Sequence, residues 1–204
     1  MRIVVFGGTG DVGKIIVEKL VSKNRQVVVL TRQQKEATEN IHYFSGNVLV
    51  YESVNSCINE GDCVIISLGF NNSALDTMSK GTKNIIDAMV KKNCLRLICL
   101  SSYGAGESWN YLPEEFRATV MNTPILKAAF HDHGLQEEFI KASKLDWTIV
   151  RPTEIVNEPE TKAFTKNEAT DHSAYKISKY DVAQFIIDEL ETKTFNMQVV
   201  MITS

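Results

Sequence analysis

Ile3-Val4-Val5-Phe6-Gly7-Gly8-Thr9-Gly10-Asp11-Val12-Gly13 decides the fold: an apolar run empties into a glycine-rich turn, and the turn opens into helical periodicity. Gly8, Gly10 and Gly13 satisfy G-x-G-x-x-G, and Gly7, Gly10 and Gly13 also satisfy the wider G-x-x-G-x-x-G. The composition has a geometric cause. A tight turn needs a residue free to take positive φ, a backbone approaching a pyrophosphate cannot carry a Cβ, and a helix crossing close over its strand needs a bare surface. The helix start then offers unpaired N–H groups and a positive dipole end to an anion. Set between a strand and a helix, the spacing reads as a dinucleotide loop, with Gly7, Gly8, Thr9, Gly10, Asp11, Val12 and Gly13 as candidate cofactor contacts.

Working outward, Val12, Ile15, Ile16, Lys19 and Leu20 recur at helical spacing and predict a helix ending near Asn24. Residues 26–30, 41–44 and 63–68 are apolar runs of the kind shown by strands buried on both faces, the last following the turn signal Gly61-Asp62. Residues 50–59 are short and mildly amphipathic. Residues 75–92 carry Leu75, Met78, Thr82, Ile85, Ile86, Met89 and Val90 on one face and form the clearest helix. Another buried strand, 95–100, runs into the small-residue loop Ser101-Ser102-Tyr103-Gly104-Ala105-Gly106. The pattern over 113–143 is helical in two pieces, broken near Pro124 or Gly134. A strand over 146–150 follows, ended by Arg151-Pro152. Residues 154–173 read as a polar, loop-rich excursion, 181–190 as a helix and 198–202 as a final strand. Strand and helix alternate throughout, which predicts one α/β domain over 1–204: a Rossmann-like, doubly wound, mainly parallel sheet with helices on both faces. Its crevice should lie outside the carboxyl ends of the first, fourth and fifth strands, where the glycine and serine loops fall.

Composition narrows the classes of function. With 44% hydrophobic and 23% charged residues the chain is of ordinary globular type, and no segment approaches the ~18 apolar residues of a membrane span. The first strand begins without a secretory signal ahead of it, so a cytoplasmic location is expected. A net charge of −3 with interspersed signs argues against a nucleic-acid partner. Cys57, Cys63, Cys94 and Cys99 form no C-x-x-C pair and lie in or beside apolar runs, which predicts buried, reduced thiols. His131 and His133, two apart, would point to different helix faces, so no metal site is expected. A small-molecule substrate and a monomer or small homo-oligomer are the expectation.

The tip of the second strand reads Leu30-Thr31-Arg32. An acidic side chain here grips the ribose hydroxyls of NAD, whereas Arg32 can pair bidentately with a 2′-phosphate, so NADP is the expected cofactor, with NADPH preferred over NADH. A solvated loop arginine is the plain alternative. Taken with Ser67-Leu68-Gly69, Ser101-Ser102-Tyr103-Gly104, the segment from Asp146 through Arg151-Pro152, and Ile177-Ser178-Lys179-Tyr180-Asp181-Val182-Ala183, the chain resembles the atypical short-chain dehydrogenase/reductase group. That group contains NmrA-like proteins and the flavin reductase, or biliverdin-IXβ reductase, type. The resemblance implies adenine beside Gly46-Asn47-Val48, where the family carries Gly-Asp; an Asn still accepts and donates. It places Ser67, Leu68 and Gly69 along the ribose, and Ser101, Ser102, Tyr103 and Pro152 toward the nicotinamide.

The Tyr-x-x-x-Lys dyad of standard short-chain dehydrogenases has a literal match at Tyr175-Lys176-Ile177-Ser178-Lys179, but it falls after the Arg151-Pro152 strand and not on the helix after the serine loop. It reads as coincidence at a strand-to-helix junction. Ser102, Tyr103 and His133 remain as candidate catalytic residues. His133 falls where the flavin reductase type carries a histidine, and a histidine can relay protons near neutral pH; a surface histidine is the alternative. Tyr103 could donate to a substrate oxygen or merely pack over the site. Two functions from different classes are open. One is an NADPH-dependent reductase passing hydride to a flat, flavin- or quinone-like acceptor; the other is a non-catalytic NADP(H) sensor of the NmrA-like kind.

Overall fold

The structure, a computed structural model, describes residues 1–70, 75–162 and 176–204 and the backbone of 165–166. Strand β1 (Arg2–Phe6) feeds helix α1 (Asp11–Ser22), followed by β2 (Gln26–Thr31), β3 (Ile41–Ser45), α2 (Tyr51–Cys57) and β4 (Cys63–Ile66). Then come α3 (Thr77–Lys91), β5 (Arg96–Leu100), a 3-10 turn (Gly106–Tyr111), α4 (Glu114–Asn122) and α5 (Pro124–Ala142). The chain closes with β6 (Asp146–Pro152), β7 (Glu154–Val156), β8 (Thr165–Lys166), β9 (Lys176–Ser178), α6 (Lys179–Thr192) and β10 (Gln198–Thr203). The sheet runs β3-β2-β1-β4-β5-β6-β10-β8. Its first seven strands are parallel and β8 is antiparallel. The expected single-domain Rossmann-like architecture is the one observed.

Strand alternation sorts the core into two layers. Ile3 and Val5 face the cluster under α1 and α6, while Val4 and Phe6 face the cluster under α2, α3 and α5. All four are at most 1% exposed, which is why β1 reads as an unbroken apolar run. The four cysteines are buried and free. Burial pushes the thiols of Cys57 and Cys94 up to about 12.

Some elements differ from expectation for identifiable reasons. β3 is the sheet edge and is half exposed, not buried on both faces. The helical break falls at Thr123-Pro124 and not at Gly134, because proline has no N–H to donate and starts a new helix at its first turn. The excursion after β6 contains β7, which pairs in parallel with β9 as a separate two-stranded ribbon. Leu95 is 55% exposed and the strand begins with Arg96, which is 4% exposed. Arg96 donates from Nη2 to Glu189 Oε1 at 2.7 Å and from Nη1 to Thr148 Oγ1 at 2.9 Å. Glu189 also accepts from the backbone of Phe195 at 3.2 Å, so the pair ties the end of α6 to the sheet.

Removing one partner of such a pair strands the other charge. Arg96→Met is therefore expected to destabilise the protein by about 3–5 kcal/mol in urea unfolding. Arg96→Met with Glu189→Leu should recover most of that loss; an equal loss in both variants would contradict the account.

Candidate functional site

The glycine loop separates its tasks. Gly7 has φ +86°, and an added Cβ would lie 2.1 Å from Ser67 O. At Gly13 it would lie 2.1 Å from Gly7 O, so α1 crosses the loop at backbone contact. Gly8 is packed against Val29 and Val17. Gly10 is different: its added Cβ would meet only Gly7 O, at 3.3 Å, and Gly10 alone of these glycines lines a cavity. The turn is closed by Gly10 N donating to Gly7 O at 2.9 Å. Gly10 caps α1 without a side-chain acceptor, leaving the N–H groups of Asp11 and Val12 at the cavity wall with no intrahelical partner. A cradle of bare backbone donors at a helix start fits a pyrophosphate.

The cavity, of about 740 Å³, opens at the carboxyl ends of β1, β4, β5 and β6. Ser67, Leu68 and Gly69 line it after β4, Ser101, Ser102 and Tyr103 after β5, and Pro152 after β6. His133 reaches the same wall from α5. The remaining predicted contacts lie outside that wall. Thr9 sits partly exposed in the turn, and Arg32 is exposed at the tip of β2. Asn47 Oδ1 accepts from Leu49 N at 3.0 Å, which engages the acceptor an adenine amino group would use. Val48 packs in the core against the bare face of Gly81, and its carbonyl accepts from Asn84 at 2.9 Å. Tyr175 lies outside the described residues; Lys179 opens α6, with Ser178 as its cap, and does not line the cavity.

Polar groups on α5 fix the floor. Glu137, 1% exposed, accepts the Ser101 hydroxyl at 2.7 Å and Arg151 Nε at 2.8 Å, and pairs with Arg151 Nη2. Arg151 also donates to Glu107 at 2.9 and 3.0 Å. Those bonds hold the Glu107 carboxyl down to about 2. Against burial, the bonds to Glu137 and then Glu107 raise the Arg151 guanidinium further above its ordinary range. One turn back, Asp132 accepts the N–H groups of Met78 and Ser79 at 2.9 and 3.1 Å, capping α3 from another helix.

Gln136 donates to Thr82 Oγ1 at 2.8 Å and turns its oxygen to His133 Nδ1 at 3.3 Å. Nδ1 therefore carries the proton of a neutral ring. Burial, partly offset by the bond to Gln136, holds His133 below its usual range, which favours the neutral ring. Ser102 Oγ donates to Tyr103 O at 3.2 Å. The Tyr103 phenol lies 3.5 Å from Tyr111 O, and burial raises its pKa.

Sequence reading missed Glu137, Glu107 and the pairing of Arg151; an arginine beside the proline that ends a buried strand was the available signal. It also missed the apolar wall of Leu112, Phe116, Leu126, Phe130 and Ile155. Among the described residues no cluster of side chains could hold a metal, and no helix is long and apolar enough to cross a membrane.

Comparison with known proteins gives the class. The chain belongs to the NAD(P)H-binding family, whose model matches residues 7–193. Its fold is similar to that of ChuY, an anaerobillin reductase from Escherichia coli O157:H7 (TM-score 0.85, 22% identity, covering 99% of this chain and 96% of that one). It is also similar to the oxidoreductase ylbE from Lactococcus lactis (TM-score 0.84, 22% identity, covering 99% and 90%). A wide-type short-chain dehydrogenase/reductase from Veillonella parvula in complex with NADP matches with TM-score 0.82 at 18% identity, covering 100% and 94%. At these identities the likeness is one of fold.

The loop geometry separates two glycine substitutions. Gly13→Ala should cost at least ~2 kcal/mol in thermal or urea unfolding, because backbone must move. Gly10→Ala should stay within about 1 kcal/mol of the parent while weakening NADPH binding in a fluorescence titration, since its methyl enters the cavity.

Proposed function

We propose that the protein is an NADPH-dependent reductase that passes a hydride to a small, flat acceptor such as a flavin or quinone. One observation carries this reading: a single cavity joins the open Gly10 end of α1 to an apolar wall built from α4 and α5. The first suits a dinucleotide phosphate and the second a planar apolar ring. The reductase and oxidoreductase names of the structural neighbours support it.

The roles fall to residues as follows. The backbone N–H groups of Asp11 and Val12 hold the pyrophosphate, Gly10 leaving room for it, and Arg32 pairs with the 2′-phosphate. Ser67, Leu68 and Gly69 border the ribose, while Ser101, Ser102 and Tyr103 border the nicotinamide, which supplies the hydride when bound. The Ser101 hydroxyl donates its hydrogen bond to the buried Glu137, so it presents acceptor lone pairs to the cavity. Tyr103 donates its phenol proton to Tyr111 O at 3.5 Å and would exchange that long bond for one to an acceptor oxygen. Neutral His133, with Nδ1 bonded to Gln136, keeps Nε2 as a proton-accepting site.

A second reading, an NADP(H) sensor, is favoured by one feature: neither α4 nor α5 contains a tyrosine, so the standard dyad has no place on these helices. Arg32→Ala should weaken NADPH roughly tenfold or more and leave NADH nearly unchanged by titration; equal loss for both would remove the 2′-phosphate assignment. NADPH oxidation with FMN, riboflavin and simple quinones decides between the readings. Turnover well above the uncatalysed rate is expected, whereas tight NADPH binding without turnover across the panel would establish the sensor.

A further inference from the structure

We infer that the acceptor end of the cavity selects neutral, apolar two-electron acceptors, of the quinone or unphosphorylated flavin class, and discriminates against those bearing a phosphate, sulfonate or carboxylate. The inference rests on the reductase reading above and adds a charge rule to it. Among the described residues that line the cavity there is no lysine or arginine; the charged side chains are Asp11 and Glu154. Arg151 lies just behind the wall, but it is 4% exposed and bonded to both Glu137 and Glu107. Lys141 is spent on the same two carboxylates, at 3.2 and 3.4 Å. Two cations against two carboxylates leave this cluster without net charge to offer.

The acceptor wall consists of Leu112, Pro113, Phe116, Leu126, Phe130 and Ile155. Glu114 and Glu115 open α4 beside Phe116 and are exposed, but neither lines the cavity. Arg117 and Lys127 belong to the same helices but do not line the cavity. An anionic group entering here would lose its hydration and meet no counter-charge among the described lining residues, which is unfavourable in an apolar site and worse beside the Glu154 carboxylate. A neutral ring buries its faces against Phe116 and Phe130 without that cost. In the reaction the acceptor gains one hydride from NADPH and one proton from water, leaving NADP⁺ and, for a quinone, the hydroquinone.

Matched pairs isolate charge from ring chemistry: riboflavin against FMN, and 1,4-naphthoquinone against its 2-sulfonate. Two readouts apply to the full chain, namely quenching of riboflavin or FMN fluorescence on NADP⁺-saturated protein, and steady-state NADPH oxidation. Riboflavin should bind, and be reduced with a kcat/KM, at least about tenfold better than FMN, with the quinone pair ordered likewise. Phe116→Arg, at a side chain 43% exposed, should narrow both gaps at least about threefold. Equal or better binding and reduction of the anionic members would overturn the charge rule and leave the reductase reading standing. If protein that binds NADPH neither binds nor reduces any member, the reductase reading fails and the charge rule falls with it.

Discussion

The buried pair of Arg151 and Glu137 is the constraint on which the candidate site depends. Both side chains are nearly inaccessible, at 5% and 1%, so each requires the other: either alone would be an uncompensated charge in the interior. The pair joins the middle of α5 to the end of β6, and through the Ser101 hydroxyl it reaches the end of β5 as well. The neighbouring positions on α5 extend the clamp. Asp132 caps α3 and Gln136 bonds Thr82, so successive turns of one helix are committed to α3 and then to the sheet. With that face committed, the preceding turns of α5 leave Leu126 and Phe130 to the cavity. Packing and site geometry therefore share one origin.

A second buried arginine pair, Arg96 with Glu189, lies at the opposite edge of the sheet. Arg96 starts β5, and its partners Thr148, the Asp146 carbonyl and Asn196 belong to the amino end of β6 and the approach to β10. Neither residue lines the cavity. The contrast is instructive because the chemistry of the two pairs is alike while their surroundings differ. At the amino edge, loops are short and the pair closes the floor. At the carboxyl edge, the pair stands behind loops that part around α1, and a hydroxyl bonded to it faces an open crevice.

The sheet was legible because seven parallel strands buried by helices leave apolar runs, and the glycine loop was legible because backbone contact at Gly7 and Gly13 excludes any side chain. The edge position of β3 was not, since Ile41, Tyr43 and Phe44 look apolar whether or not a further strand covers them. The start of β5 misled for a related reason: Leu95 belongs by type in a core and Arg96 does not, and only the ion pair with Glu189 reverses the two. Of the candidate site, the loops at strand ends were readable from small residues. The apolar wall was not, because Leu112, Phe116, Leu126 and Phe130 come from three separate elements whose convergence depends on where Pro124 breaks the helix. Glu137 looked like one more charge on a helix until its partner, fourteen residues later, was in place.

The two ends of the crevice thus obey different physics, which explains why one was written more plainly than the other. Holding a dinucleotide phosphate, on the proposed reading, requires backbone: bare N–H groups, a glycine that leaves room, and a helix crossing close above, all of which constrain sequence at fixed spacing. Holding an apolar ring requires only that large side chains face inward and that no unpaired polar group be buried with them, which many sequences satisfy. Exchange of residues on α4 can therefore alter the acceptor end without disturbing the glycine loop, because α4 contributes to the apolar wall while Gly10, Asp11 and Val12 line the other end.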